Sequence, residues 1–179
     1  KELLLFSARF RNIMETKDFE QALPDILKRI GMRKSGFNKT ENSAIVRVPE
    51  GFDFKVIVEK ELEKSGVNII YVDCKMEDPQ SIVAKMNEAG WVGSVWGDDI
   101  RKAEQHKEDK VTSILLIDHF SELEDKGTRM YIESVLKVNN DNHICGKKNI
   151  PVILTFSRDE GMRYFYNNTS ITIIDENYW

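Results

Sequence analysis

Apolar residues recur at helical spacing twice before the first strand-like run. Leu3, Leu4, Phe6, Phe10 and Ile13 mark one stripe over 2–14, and Phe19, Ala22, Leu23, Ile26, Leu27 and Ile30 mark another over 18–30. Pro24 suits a kink or the first turn of a second helix better than a regular interior position. Gly31 is a natural stop, and Arg33–Asn42 reads as a polar, mobile loop. The period then changes. Ser43–Val48 (SAIVRV) is a short β-branched run closed by the turn Pro49-Glu50-Gly51, and Phe54–Lys64 returns to helical spacing. Further strands are predicted at Val67–Val72 (VNIIYV), Ser113–Ile117 (SILLI), Pro151–Thr155 (PVILT) and Ser170–Ile174 (SITII). Helices are predicted from Asp78-Pro79 to about Ala89, over Glu122–Val138, and in a short piece at Gly161–Tyr166; Asn139–Asn149 reads as a loop.

Five continuous apolar strands separated by helices indicate a parallel sheet covered on both faces. With right-handed crossovers this becomes a three-layer α/β domain. The ligands of such sheets sit at the carboxyl ends of the strands. Here those ends carry Pro49–Asp53, Asp73, Asp118-His119, Thr155–Ser157 and Asp175. No internal repeat or low-complexity tract interrupts the pattern.

Composition narrows the class. The chain has 179 residues, of which 41% are hydrophobic and 31% charged, and its formal net charge is −4. That suits one α/β domain with a real core and argues against disorder, collagen, a disulfide mini-protein and a coiled coil. No apolar run reaches the roughly 20 residues of a spanning helix. Lys1 is not an initiator residue, so the chain is expected to be part of a longer protein, and a missing signal peptide proves little. Cys74 and Cys145 belong to no CxxC or Cys/His cluster and read as idle thiols of a reducing compartment rather than a bridge.

Charge is unevenly spread: residues 1–50 carry a net +3 and residues 51–179 a net −7. Lys28, Arg29, Arg33, Lys34, Lys39 and Arg47 face only Glu41 within 28–47. Such a segment is either an anchor for phosphate or an acidic surface, or a solvated helix end and loop. Lys147 and Lys148, in a polar loop before the fourth strand, form a second basic candidate.

The turn after the first strand is where a phosphate loop belongs. A working loop reads G-x-x-x-x-G-K-[ST], because glycines let backbone N–H groups wrap phosphate, Lys reaches the terminal groups and the hydroxyl holds Mg²⁺. This chain reads Pro49-Glu50-Gly51-Phe52-Asp53-Phe54-Lys55-Val56. With Lys55 as the motif lysine, Pro49 and Phe54 stand on the glycines and Val56 on the hydroxyl position. Pro49 lacks a donor, Phe54 fills backbone space, Val56 cannot ligate a metal, and Glu50 and Asp53 repel phosphate. The third strand, ending Asp118-His119, has Walker B form, but His119 stands where a water-orienting Glu belongs. Asp118 reads as a structural acceptor at a strand end rather than a metal ligand. Thr155 and Ser157 fall where a polar sensor would touch a γ-phosphate, although polar strand ends are common. No nucleophile–base pair can be argued: His106, His119 and His143 sit in unrelated contexts and no serine elbow is present. Trp91 and Trp96 read as packing residues under a loop rather than a stacking platform.

The order of these pieces, from Thr16–Leu23 through SAIVRV, KVIVEKELEKSG, NIIYVDC and SILLIDHFSELE to NIPVILTFS, resembles a known family. It is similar to the AAA+ domain of the largest origin-recognition-complex subunit of budding yeasts and its silencing paralogue, silent information regulator three. The losses at Pro49, Phe54, Val56 and His119 resemble the paralogue more. The resemblance spans nearly the whole chain but rests on element order and short stretches. It implies a P-loop NTPase-like AAA+ base domain over 1–179, with 1–42 as N-terminal helices and basic loop, 43–179 as the five-stranded core, and no helical lid. It further implies a catalytically inactive protein of the nucleus, without cofactor or metal, that binds nucleosomes, histones and silencing partners in heterochromatin at telomeres. An active ATP-binding subunit of a replication-initiation complex is the alternative, and a DNA-binding module a third. Lys28, Arg29, Arg33, Lys34, Lys39, Lys147 and Lys148 are the candidates for nucleosome contact, chosen for charge rather than by motif.

Overall fold

The computed structural model describes residues 2–33, 36–37, 43–88, 113–144, 151–157 and 171–179. Helix α1 (Glu2–Arg29) leads to the two-residue strands β1 (Met32–Arg33) and β2 (Gly36–Phe37). Then follow β3 (Ser43–Arg47), α2 (Phe54–Leu62), β4 (Asn68–Asp73), α3 (Pro79–Glu88), β5 (Ser113–Asp118), α4 (Lys126–Ile144), β6 (Val152–Phe156) and β7 (Ile171–Ile174). Single 3-10 turns occupy Phe120–Glu122 and Glu176–Tyr178.

β3 to β7 form one five-stranded, all-parallel sheet in the order β4-β5-β6-β3-β7. This α/β architecture is compatible with a P-loop-like fold. β3 therefore lies inside the sheet, with Val46 opposite both Thr155 and Ile174. Asp73 is in register with Asp118, so the carboxyl ends of β4 and β5 are level. β3 and β6 are buried along most or all of their length, as expected of strands covered on both faces.

The side chains separate into two apolar clusters. One joins Ile45, Leu115, Ile117 and Leu154 to Ile82 and Met86 of α3 and Ile132 and Leu136 of α4. The other joins Ala44, Val46, Ile114, Leu116 and Ile153 to Phe19 and Ile26 of α1, Ile30 just after it, and Phe54, Val58 and Leu62 of α2. Period-two alternation along β3 and β5 thus sends α3 and α4 to one face and α1 and α2 to the other.

Three sequence expectations need correction. The stretches 2–14 and 18–30 are one helix, with Pro24 inside it. Proline removes one main-chain bond, yet Phe19, Ala22 and Leu23 before it and Ile26 and Leu27 after it all pack on the same cluster, which supports the helix on both sides of it. Part of the expected loop 33–42 is paired: Met32 is opposite Phe37 and Arg33 opposite Gly36 in an antiparallel ladder. The helix expected at Glu122–Val138 is a 3-10 turn followed by α4, which runs on through 139–144 of the expected loop. Asp125 accounts for the later start, because its carboxylate accepts the Thr128 N–H at 2.7 Å and fixes the first turn there. Gly31 ends α1 with φ +80°, as expected of a stop in the left-handed region. The expected helix at 161–166, and Trp91, Trp96, His106 and Cys145, lie outside the described residues.

Candidate functional site at the carboxyl edge of the sheet

Two arrangements stand at the carboxyl edge. The first is the turn between β3 and α2. Gly51 takes φ +81°, which a glycine adopts without strain, and the Phe52 N–H donates to the Pro49 carbonyl at 3.1 Å. Phe54 then enters the second cluster fully buried. Its neighbour Phe52 meets Phe19 edge-on with ring centroids 4.9 Å apart, and Phe19 also meets Phe54 at 6.3 Å and Trp179 at 4.9 Å. The turn is therefore lined by four rings.

The amino end of α2 is occupied by the protein itself. Asp53 is its N-cap, and the carboxylate accepts the Val56 N–H at 3.2 Å. An anion brought to that helix end would meet this carboxylate first. Lys55 is committed elsewhere: its ammonium lies 3.3 Å from Glu59 and 4.7 Å from the centre of the Tyr71 ring. Val56 is exposed.

The second arrangement closes the ends of β4, β5 and β6 with hydrogen bonds. Asp118 is 6% exposed, and its Oδ1 accepts from the Thr155 hydroxyl and, at 3.0 Å, from the His119 N–H. Its Oδ2 accepts the Tyr71 hydroxyl at 3.0 Å. The His119 N–H also reaches Thr155 Oγ1 at 3.1 Å. His119 is the one non-glycine described residue with positive φ, at 56°, a conformation costing about 1 kcal/mol. Its ring is fixed by Asp73, with Nδ1 3.0 Å from Oδ1. Asp73 in turn accepts from the Lys75 N–H and donates its own N–H to Glu77.

Burial and these carboxylates act on their neighbours. Burial, then the charge and hydrogen bond of Asp118, push the Tyr71 hydroxyl far above the ordinary tyrosine range. Burial first, and then Asp73, Asp118 and Glu77, raise the Cys74 thiol to about 12. Cys74 therefore stays protonated and is no nucleophile at neutral pH. Burial also works to raise the Glu77 carboxyl. Hydrogen bonds from Lys85, the Asp73 N–H and Ser81 outweigh it and hold Glu77 below the ordinary glutamate value. Lys85 makes the strongest of these, at 2.7 Å, and also caps the Tyr71 carbonyl at 3.1 Å.

The structure brings together Asp118, His119 and Thr155, which the sequence placed at strand ends. It adds Tyr71, whose hydroxyl had no signal in a run that reads simply as strand, and the Phe19–Trp179 pair, which is 160 residues apart in the chain. Ser157 pairs with Ser121 across the β5 and β6 ends at 2.9 Å. Among the described residues, no group of three or more His, Cys, Asp or Glu is placed to hold a metal ion. No described helix is long and apolar enough to cross a membrane.

Of the basic candidates, Lys28 and Arg29 are exposed in the last turn of α1. Arg29 lies 3.8 Å from Asp25 and stacks over Tyr178 at 4.3 Å. Arg33 is in β1, while Lys34, Lys39, Lys147 and Lys148 lie outside the described residues. No protein-family model and no curated protein sequence matches the chain.

Proposed function

We propose that this chain is a three-layered, AAA+-like base domain that works by binding partner proteins and does not hydrolyse nucleotide. One observation carries the reading. At the amino end of α2, where a phosphate-binding domain presents free N–H groups, the Asp53 carboxylate holds the Val56 N–H. The adjoining Phe52 and Phe54 rings pack on Phe19. An incoming triphosphate would have to displace a carboxylate and an aromatic cluster while gaining no help from Lys55, which is paired with Glu59. The Walker B-like Asp118 supports the same reading, since both of its oxygens are taken by protein donors.

The partner class rests on the sequence resemblance: nucleosomes, histones and silencing proteins in heterochromatin, in the nucleus; Lys28, Arg29, Arg33, Lys34, Lys39, Lys147 and Lys148 are, by their charge, the candidates to meet nucleosomal DNA or an acidic histone face. Titration with a fluorescent ATP analogue and Mg²⁺ tests the first part. No saturable binding in the micromolar range is expected, and Val56→Thr is expected to confer no turnover. Micromolar affinity abolished by Lys55→Ala would establish the active ATPase instead. Nucleosome binding compared with free DNA at matched salt tests the second part. Charge reversal at Lys147 and Lys148 should weaken it without loss of folding, and equal binding to free DNA would favour a plain DNA-binding module.

A further inference from the structure

β4 is an outer strand of the sheet and pairs with β5 alone among the described strands. The Cys74 N–H turns inward, to the Asp118 carbonyl at 3.0 Å. By alternation the main-chain groups of residues 70 and 72 also face β5, and those of 67, 69, 71 and 73 face outward. Side chains close the two ends of this outward row. Ser65 Oγ accepts the Val67 N–H at 3.2 Å, and Glu77 accepts the Asp73 N–H at 2.9 Å. Lys85 donates to the Tyr71 carbonyl at 3.1 Å, which leaves that oxygen a second lone pair. Between these caps the Ile69 N–H, the Ile69 carbonyl and the Tyr71 N–H have no partner among the described residues. Ile69, Ile70 and Tyr71 are only half-buried, whereas Ile114, Leu115 and Leu116 opposite them in β5 are buried. Before Asp73 the strand carries neither proline nor charge, the usual protections of an exposed edge.

This window is complementary to itself. When two such edges run antiparallel with Ile70 opposite Ile70 of a second copy, Ile69 stands opposite Tyr71 on both sides of the two-fold axis. Residues 69 and 71 then make hydrogen-bonded pairs, each Ile69 N–H meeting a Tyr71 carbonyl and each Tyr71 N–H an Ile69 carbonyl. Every open group is used, and no group held by Ser65 or Glu77 is needed. An axis at residue 69 or 71 would instead demand the Val67 or the Asp73 N–H, both already taken. The side chains suit the same register. The two Ile70 side chains meet at the closer, non-hydrogen-bonded position on the face of α3 and α4, and two Ile69–Tyr71 pairs form on the face of α1 and α2. Such β-branched and aromatic pairs stabilise antiparallel ladders.

We propose that the outer edge of β4 is a self-association surface, through which two copies of the chain join antiparallel about Ile70 and extend one sheet across both. This goes beyond the partner-binding reading above and does not depend on it, since neither the turn after β3 nor the basic residues take part. The contact is short, so the dimer forms and dissociates with protein concentration.

Sedimentation equilibrium of the unsubstituted chain tests it, together with amide hydrogen exchange at low and high protein concentration. A monomer–dimer equilibrium is expected, with the Ile69 and Tyr71 amides at least ten-fold better protected in the dimer and the Ile70 amide, bonded to β5, unchanged. Ile70→Lys and Ile70→Glu each set like charges face to face on the axis and should abolish the dimer, while an equal mixture of the two should restore it as a heterodimer. Cooperative melting shows that these variants are folded; if they are not, the exchange measurement on the unsubstituted chain decides alone. A chain that stays monomeric up to about 1 mM would overturn the proposal. So would a dimer whose Ile69 and Tyr71 amides exchange as fast as in the monomer, or one that persists in folded Ile70→Lys.

Discussion

The turn after β3 and the corner at the ends of β4 and β5 lie on the same edge of one sheet and solve the same problem by opposite chemistry. Strand ends leave backbone groups and crevices open. At the turn, the space is taken by rings: Phe52, Phe54, Phe19 and Trp179. At the corner it is taken by a hydrogen-bonded set of Asp118, Thr155, Tyr71, His119 and Asp73. Both sets of contacts close within the chain, yet they should respond differently to substitution. The aromatic region tolerates no loss of volume, whereas the polar one tolerates any change that keeps its donors and acceptors matched.

The largest effect is expected at the aromatic region. Phe54→Ala removes a wholly buried ring, and should cost about 4 kcal/mol in denaturant unfolding. A cost under about 1 kcal/mol would mean the turn is loosely packed and the contrast fails.

At the corner the choice of replacement decides the outcome. Asp118→Ala strands the Thr155 and Tyr71 hydroxyls and should cost about 3 kcal/mol. Asp118→Asn can keep its oxygen on Thr155 and the His119 N–H while its amide donates to the Tyr71 oxygen, so about 1 kcal/mol is expected. Equal losses in both, read from the same unfolding curves, would show that charge rather than hydrogen-bond matching holds the corner.

His119 separates backbone from side chain. His119→Gly removes the bond to Asp73 but relieves the positive φ, so the two terms nearly cancel and a change within about 1 kcal/mol is expected. His119→Val loses the bond and adds β-branched strain, and should cost about 2 kcal/mol. If both variants lose the same amount, the left-handed backbone carries no strain.

The contrast also explains what the sequence made legible. Strands announced themselves because SAIVRV, VNIIYV, SILLI and PVILT are continuous apolar runs, and their ends placed Asp73, Asp118 and Thr155 on one edge of the sheet. The expectation that the turn does not suit phosphate comes from Pro49, Phe54 and Val56, since each changes backbone or ligand chemistry locally. What was not readable is what fills the space: Phe19 and Trp179 meet across the whole chain, and periodicity gives Phe19 a buried face without naming its partner. The stretches 2–14 and 18–30 were not seen to be one helix because the apolar spacing lapses between them, and Tyr71 was missed because its ring suits a strand whatever its hydroxyl does.

The smallest effect expected is a pH dependence just outside the corner. Glu77 receives Lys85, Ser81 and the Asp73 N–H, and these hold its folded pKa below the usual 4.5. A carboxyl group whose pKa is lowered on folding stabilises the protein fully above its unfolded pKa, and that contribution disappears as pH falls through the folded value. Glu77→Gln keeps an acceptor for the Asp73 N–H but gives up the charge opposite Lys85. It should therefore cost about 1 kcal/mol at pH 7 and progressively less as the pH falls below the ordinary glutamate value, with the two unfolding curves converging in acid. Because Lys85 also binds the Tyr71 carbonyl, part of its anchoring survives, which limits the loss. A difference between wild type and Glu77→Gln that stays constant from pH 7 to pH 3 would show that the hydrogen bonds contribute without the charge, and would place Glu77 with the neutral, matched groups of the corner.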